Sequence, residues 1–88
     1  MERILLVHGS VAGGRPTWKE QRRGLHRRFE LLVLERPGFV PNPPVPRVDF
    51  AEHARLVAEA LGGGAHLLGH SYGGVIALLA AARRPHAV

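Results

Sequence analysis

Three short apolar segments, each followed by a stretch with helical periodicity, constrain this chain more than any other feature. Ile4-Leu5-Leu6-Val7 is a continuous apolar run. Glu30-Leu31-Leu32-Val33-Leu34-Glu35 holds a second, and Ala65-His66-Leu67-Leu68 a third. Runs of this length read as strands buried on both faces, the mark of a parallel sheet. After the first run, Thr17-Trp18-Lys19-Glu20 has capping-box spacing, with Thr17 accepting and Glu20 reaching back. Trp18, Arg22, Leu25 and Phe29 then fall on one helical face, with Arg22 snorkelling. This pattern predicts a helix from about Pro16 to Arg28. Asp49 and Glu52 repeat the cap spacing. Phe50, Ala54, Val57 and Leu61 form the next buried stripe, which Gly62-Gly63-Gly64 ends. A third helix is predicted over Val75 to Arg84, stopped by Pro85. Pro41 to Pro46 contains four prolines and reads as loop. The order β-α-β-α-β-α, with right-handed crossovers, gives a three-layer α/β fold: a parallel sheet with helices on both faces.

Eighty-eight residues allow one small domain. With 45% hydrophobic and 22% charged residues the chain is globular in composition. There are no cysteines, which excludes a disulfide scaffold and thiolate metal sites. No signal peptide is visible, because the apolar run after Met1-Glu2-Arg3 is too short. A cytoplasmic location is therefore expected. The run Val75 to Ala82 is too short to suggest a membrane span. The net charge of +5 comes mostly from arginines scattered along the chain. Arg22, Arg23, Arg27 and Arg28 form the one dense group and read as a solvated rim. No nucleic-acid or membrane partner is expected.

The chemistry concentrates at Gly69-His70-Ser71-Tyr72-Gly73. A Gly-x-Ser-x-Gly string between a predicted strand and a predicted helix reads as a nucleophile elbow. The serine occupies a strained strand-to-helix turn. Positions two before and two after it come into close contact, so Gly69 and Gly73 lack side chains, and Gly74 lets the helix approach the strand. The turn exposes the Ser71 hydroxyl and aims the N-terminus of the last helix at it. The Tyr72 backbone N–H is the first donor for a developing oxyanion. The second is assigned to the Ser10 N–H in the loop His8-Gly9-Ser10, with Val11 as the competing choice.

Three segments together resemble the α/β-hydrolase superfamily. They are Leu5-Leu6-Val7-His8-Gly9-Ser10, Glu35-Arg36-Pro37-Gly38-Phe39 and Leu67-Leu68-Gly69-His70-Ser71-Tyr72-Gly73-Gly74. The resemblance covers almost the whole chain. It implies that residues 1–88 are the N-terminal portion of a single α/β-hydrolase domain, with strand order 2-1-3. It also implies a serine hydrolase of ester-like acyl small molecules, with esters, thioesters and lactones in range and no metal or organic cofactor. Relatives commonly carry Asp where Glu35 stands and glycine where Val40 stands. The family order is Ser, then Asp or Glu, then His. After Ser71 this sequence has no Asp or Glu, and its one later histidine is His86. His8 is expected to be structural. His70 flanks the serine and is expected to point away. His26, His53 and His66 read as surface or edge residues.

The catalytic acid and His are thus expected beyond these residues, and the 88-residue chain alone is expected to be inactive. Losing base and acid costs about 10⁶ in kcat. The alternative is a non-catalytic module, or half of a split hydrolase that needs a partner chain. In either case the third strand forms an exposed sheet edge that invites self-association or a partner. A phosphate-binding reading of Gly9 to Pro16 fails on spacing, since it lacks both the P-loop ending and the dinucleotide glycine pattern. Trp18, Phe39 and Tyr72 are candidates for the pocket wall, with Trp18 better placed in the core.

Overall fold

The structure of the chain, a computed structural model, describes residues 1–88. β1 (Arg3–Val7) is the central strand. It pairs in parallel with β2 (Glu30–Leu34) on one side and β3 (His66–Gly69) on the other, giving the order β2-β1-β3. Leu5 lies opposite Leu32 and Leu67, and Leu6 opposite Val33 and Leu68. The strands carry no regular polar alternation because β1 is covered on both faces. Leu5, Leu6 and Val7 are all buried.

The two faces are covered by different helices. Chain direction across the sheet reverses between the first crossover and the second, and right-handed crossovers then place the helices on opposite sides. α3 (Phe50–Ala60) and α4 (Tyr72–Arg83) pack on one face, where Leu5 and Val7 join Ala54, Val57, Leu61, Ile76 and Ala80 in the main core. On the other face lie α1 (Gly14–Thr17) and α2 (Lys19–Leu25). α1 approaches β2 so closely that a Cβ on Gly14 would overlap the Val33 side chain.

The structure departs from the sequence pattern in four respects. The single helix predicted from Pro16 to Arg28 is two pieces, broken at Trp18 (φ −101°, ψ 15°). The Thr17 capping box does not form: the Thr17 hydroxyl donates to the Ala12 carbonyl (3.3 Å), and α2 begins with no side-chain cap. Burial of the Trp18 indole at the break outweighs the local capping pattern. The last helix starts three residues before Val75, at Tyr72, directly after the serine. Phe50, placed in the buried stripe, is instead 37% exposed and packs on the Tyr72 ring at 5.8 Å.

The second cap prediction holds. Asp49 accepts from the Glu52 amide (3.1 Å) and is the N-cap of α3. The Glu52 carboxylate does not reach back, because Arg55 takes it at 2.6 Å. β3 has no neighbour on its outer side. Leu68, Val75, Leu78 and Leu79 around that edge are 40–74% exposed. No helix is long and apolar enough to cross a membrane. Replacing Asp49 by Ala is expected to cost about 1 kcal/mol, read as a lowered midpoint in urea unfolding.

Candidate active site

Parallel pairing brings the carboxyl ends of all three strands to one edge. Glu35-Arg36 follows β2, His8-Gly9-Ser10 follows β1, and His70-Ser71 follows β3. Ser71 sits at φ 56°, ψ −126°, the one non-glycine residue with positive φ. That conformation costs a non-glycine residue on the order of 1–3 kcal/mol and persists only where the surroundings hold it. Here they do. A Cβ on Gly69 would lie 2.5 Å from the Gly73 carbonyl oxygen and 2.6 Å from the Gly74 Cα. A Cβ on Gly73 would collide with the carbonyl oxygens of Val7 and His8. The first turn of α4 therefore rests backbone-on-backbone against the ends of β3 and β1. Gly74 is different: its added Cβ would meet the nearest atom at 3.7 Å, ordinary contact. The close approach needs Gly69 and Gly73 and does not need Gly74.

Ser71 is exposed and shares a cleft of about 420 Å³ with Gly9, Ser10, Trp18 and His70. The backbone N–H groups of Ser10, Val11 and Tyr72 have no protein acceptor. A larger depression of about 800 Å³ lies over the outer side of β2, lined by Arg15, Arg22, Leu31 and Phe39. Ser71 is absent from its lining and borders the smaller cleft instead. Of the proposed wall residues, Trp18 is buried and also lines the Ser71 cleft. Phe39 stacks edge-on against His8 at 4.5 Å, and Tyr72 packs on Phe50.

His8 is buried, as expected of a structural residue. Its Nε2 accepts from the Arg36 amide (3.0 Å), which leaves Nδ1 to carry the proton and donate to the Gly9 carbonyl (2.7 Å). His53 is a correction. The sequence places it at the surface, yet it is 2% exposed, and its Nδ1 accepts from Arg36 Nε at 3.1 Å. A signal for it exists: His53 lies three residues after Phe50 and four before Val57, on the buried stripe of α3. His70 is a second correction. Its ring is on the wall of the Ser71 cleft, edge-on to Trp18 at 6.5 Å. His66 is exposed and contacts Glu2 (3.0 Å), and His26 caps its own helix. His86 sits beside Met1, Glu2 and Arg3, at the opposite end of the sheet from Ser71.

Arg36 was not singled out from sequence, and it is fully buried. Its Nη1 donates to the carbonyls of His8 (3.1 Å) and Gly9 (2.9 Å), while Nη2 has no partner. The guanidinium lies 5.4 Å from the centre of the Phe39 ring. Glu35 does not pair with Arg36. It accepts from the Gly14 amide at 2.8 Å and so anchors α1. No cluster of His, Asp or Glu able to hold a metal ion is present.

With this geometry in place, the family is clear. A model of the alpha/beta hydrolase family matches residues 4–88, and the chain belongs to that family. It is 39% identical over 90 residues to the polyketide synthase ThaQ of Burkholderia thailandensis, a match covering 97% of this chain and 4% of ThaQ. It superimposes on NosK from Streptomyces actuosus with a TM-score of 0.87 and 31% identity, over 99% of this chain and 40% of NosK. An extracellular alpha/beta-hydrolase from a Paenibacillus species, described as sharing homology with tobacco salicylic acid binding protein 2, gives 0.83 at 22% identity. That likeness covers 99% of this chain and 37% of the other and shows the fold alone. The chain spans less than half the length of each of these proteins.

Two outcomes follow. Gly73→Ala is expected to lose about 2–3 kcal/mol or more through overpacking, whereas Gly74→Ala is neutral or stabilising by up to about 1 kcal/mol, in chemical denaturation. The second concerns pH. Burial pushes the His8 and His53 pKa values down, with the Arg36 charge adding to the effect on both. Gly9 and Glu35 oppose this at His8, as Asp49 and Glu52 do at His53. The folded state thus binds fewer protons than the unfolded state below the ordinary histidine value of about 6.5. Stability is full above that value and falls as the pH drops through it toward the lowered folded values. The melting temperature should be flat from about pH 8 to 7 and decline from about pH 6.5 to 5, less steeply in His53→Asn.

Proposed function

We propose that the protein acts in serine-dependent hydrolysis of an acyl compound, with Ser71 as nucleophile. The observation that carries the reading is the exposed Ser71 at positive φ, facing a cleft shared with the free Ser10 amide. A residue held in a costly conformation by two tightly packed glycines is spent on placing one hydroxyl. In the proposed step the Ser71 oxygen attacks a carbonyl carbon, and the carbonyl oxygen takes up negative charge. The Ser10 and Tyr72 amides receive it, helped by the N-terminal end of α4. Collapse of this intermediate expels the alcohol or thiol and leaves an acyl group on Ser71, which water then removes. Likeness to a polyketide synthase favours an acyl chain delivered as an ester or thioester.

The proton on Ser71 must go to a base, and no histidine among these 88 residues is hydrogen-bonded to the Ser71 hydroxyl. His8 and His53 are bound to Arg36, His66 to Glu2 and His26 to the Arg22 carbonyl, and His86 lies at the far end of the sheet. His70 borders the same cleft but makes no hydrogen bond to Ser71, and no carboxylate orients its ring. We place the acid and His outside residues 1–88, which then form the N-terminal part of one hydrolase domain. The same observation favours a second reading, in which the chain is a module completed by a partner docked on the open β3 edge. A serine-directed fluorophosphonate separates the two. Labelling of the native gene product at Ser71, abolished in Ser71→Ala, with an intact mass well above 9.6 kDa, is expected for the enzyme reading. A stable, unlabelled 9.6 kDa product would favour the module.

A further inference from the structure

We propose that Arg36, held in place by His53, is a positioning residue that aims the Ser10 amide into the cleft at Ser71. The inference rests on the reading of Ser10 as an oxyanion donor and names what sets that donor's direction.

The Gly9 carbonyl and the Ser10 N–H belong to one planar trans peptide and point in opposite directions. Whatever fixes the carbonyl therefore fixes the amide. Two buried donors converge on the Gly9 carbonyl oxygen: His8 Nδ1 at 2.7 Å and Arg36 Nη1 at 2.9 Å. Arg36 follows β2, on one side of β1. Ser71 follows β3, on the other side. Drawing the carbonyl toward the β2 side turns the Ser10 N–H toward the β3 side. There it has no protein acceptor and borders the cleft that Ser71 faces. Gly9 cannot hold this plane by itself, since glycine restricts its own backbone least. A side chain there would crowd the cleft: an added Cβ would lie 3.1 Å from both the Ser71 Cβ and the His70 carbonyl oxygen, tighter than ordinary contact.

The guanidinium is itself oriented. Arg36 Nε donates to His53 Nδ1 on α3, and Nη1 also reaches the His8 carbonyl at 3.1 Å. With its plane fixed from the α3 side, the fork presents Nη1 to the loop. The groups around it are His8, His53 and Phe39, and no carboxylate pairs with it. A buried cation without a counter-charge is a poor source of stability, and apolar replacements of buried ionic groups are often neutral or stabilising. Its placement has a clearer purpose at the loop. A positive charge bonded to the carbonyl end of a peptide also polarises its N–H end and strengthens it as a donor.

The test uses the full chain and four variants: Arg36→Met, His53→Leu, His53→Asn and Ser71→Ala. His53→Asn keeps an acceptor close to the Nδ1 position, and His53→Leu removes it. Two readouts are taken on isotopically labelled protein. One is the NMR shift of the Gly9 carbonyl carbon and the Ser10 amide. The other is the rate of phosphonylation by a fluorophosphonate, split into its saturating rate and its half-saturating concentration, with Ser71→Ala as the blank. Arg36→Met is expected to lower the saturating rate roughly 100-fold and His53→Leu about tenfold, at similar half-saturation. His53→Asn is expected to stay within about twofold of the wild type. The Gly9 and Ser10 signals shift in Arg36→Met and His53→Leu and hold in His53→Asn.

If Arg36→Met does not fold, the His53 pair decides. Equal rates and equal Gly9 and Ser10 shifts in His53→Leu and His53→Asn overturn the proposal. If wild type does not label at Ser71, the nucleophile reading falls and the NMR arm alone judges the positioning. Gly9 and Ser10 signals that do not respond to Arg36 or His53 then overturn it, and the expected pattern of shifts supports it.

Discussion

Parallel pairing on both sides of β1 is the constraint from which the rest of this structure follows. Leu5, Leu6 and Val7 have no solvent-facing side, so both faces of the strand need a helical layer. Because β2 and β3 flank β1 in the same direction, the loops that leave all three strands emerge together. A hydroxyl, two free amides and a buried cation thus come from residues up to 62 positions apart, with no long-range design beyond the sheet itself. Ligand sites at the carboxyl ends of parallel strands arise in this way.

The contact between α4 and β1 sets the precision of that edge. Gly73 lies against the carbonyls of Val7 and His8, and Gly69 against Gly73 and Gly74. Backbone touching backbone leaves no side-chain rotamer to relax. The Ser71 conformation is therefore determined by main-chain packing on two sides, and the start of the loop after β1 is part of the surface it packs on. Displacement of one would move the other, which links the Ser71 hydroxyl and the Ser10 amide mechanically.

What the sequence made legible follows from the range of each interaction. The elbow is a local backbone problem, and Gly69-x-Ser71-x-Gly73 states its solution within five residues. The Asp49 cap is equally local, since its acceptor and donor are three residues apart. The Thr17 cap has the same spacing and fails because Trp18 is drawn into the interior, a tertiary demand that the local pattern does not record. Arg36 and His53 were illegible for a related reason. Their partners lie 17 to 28 residues away, and an arginine read alone is taken for a surface residue. The polar position on the buried stripe of α3 was the available clue. Gly74 errs the other way: its run with Gly73 suggested a packing need that the Cβ geometry does not support.

The open edge of β3 carries one more consequence. Ser71 stands at the end of that strand, with Ser10 on its inner side toward β1. A segment that docks on the outer edge in the same direction as β3 ends beside Ser71, facing Ser10 across it. A segment that docks in the opposite direction places its first residues there instead. In both cases the peptide that closes the sheet also becomes the far wall of the cleft. Covering the apolar margin of Leu68, Val75 and Leu79 and enclosing the cleft at Ser71 are thus a single geometric event.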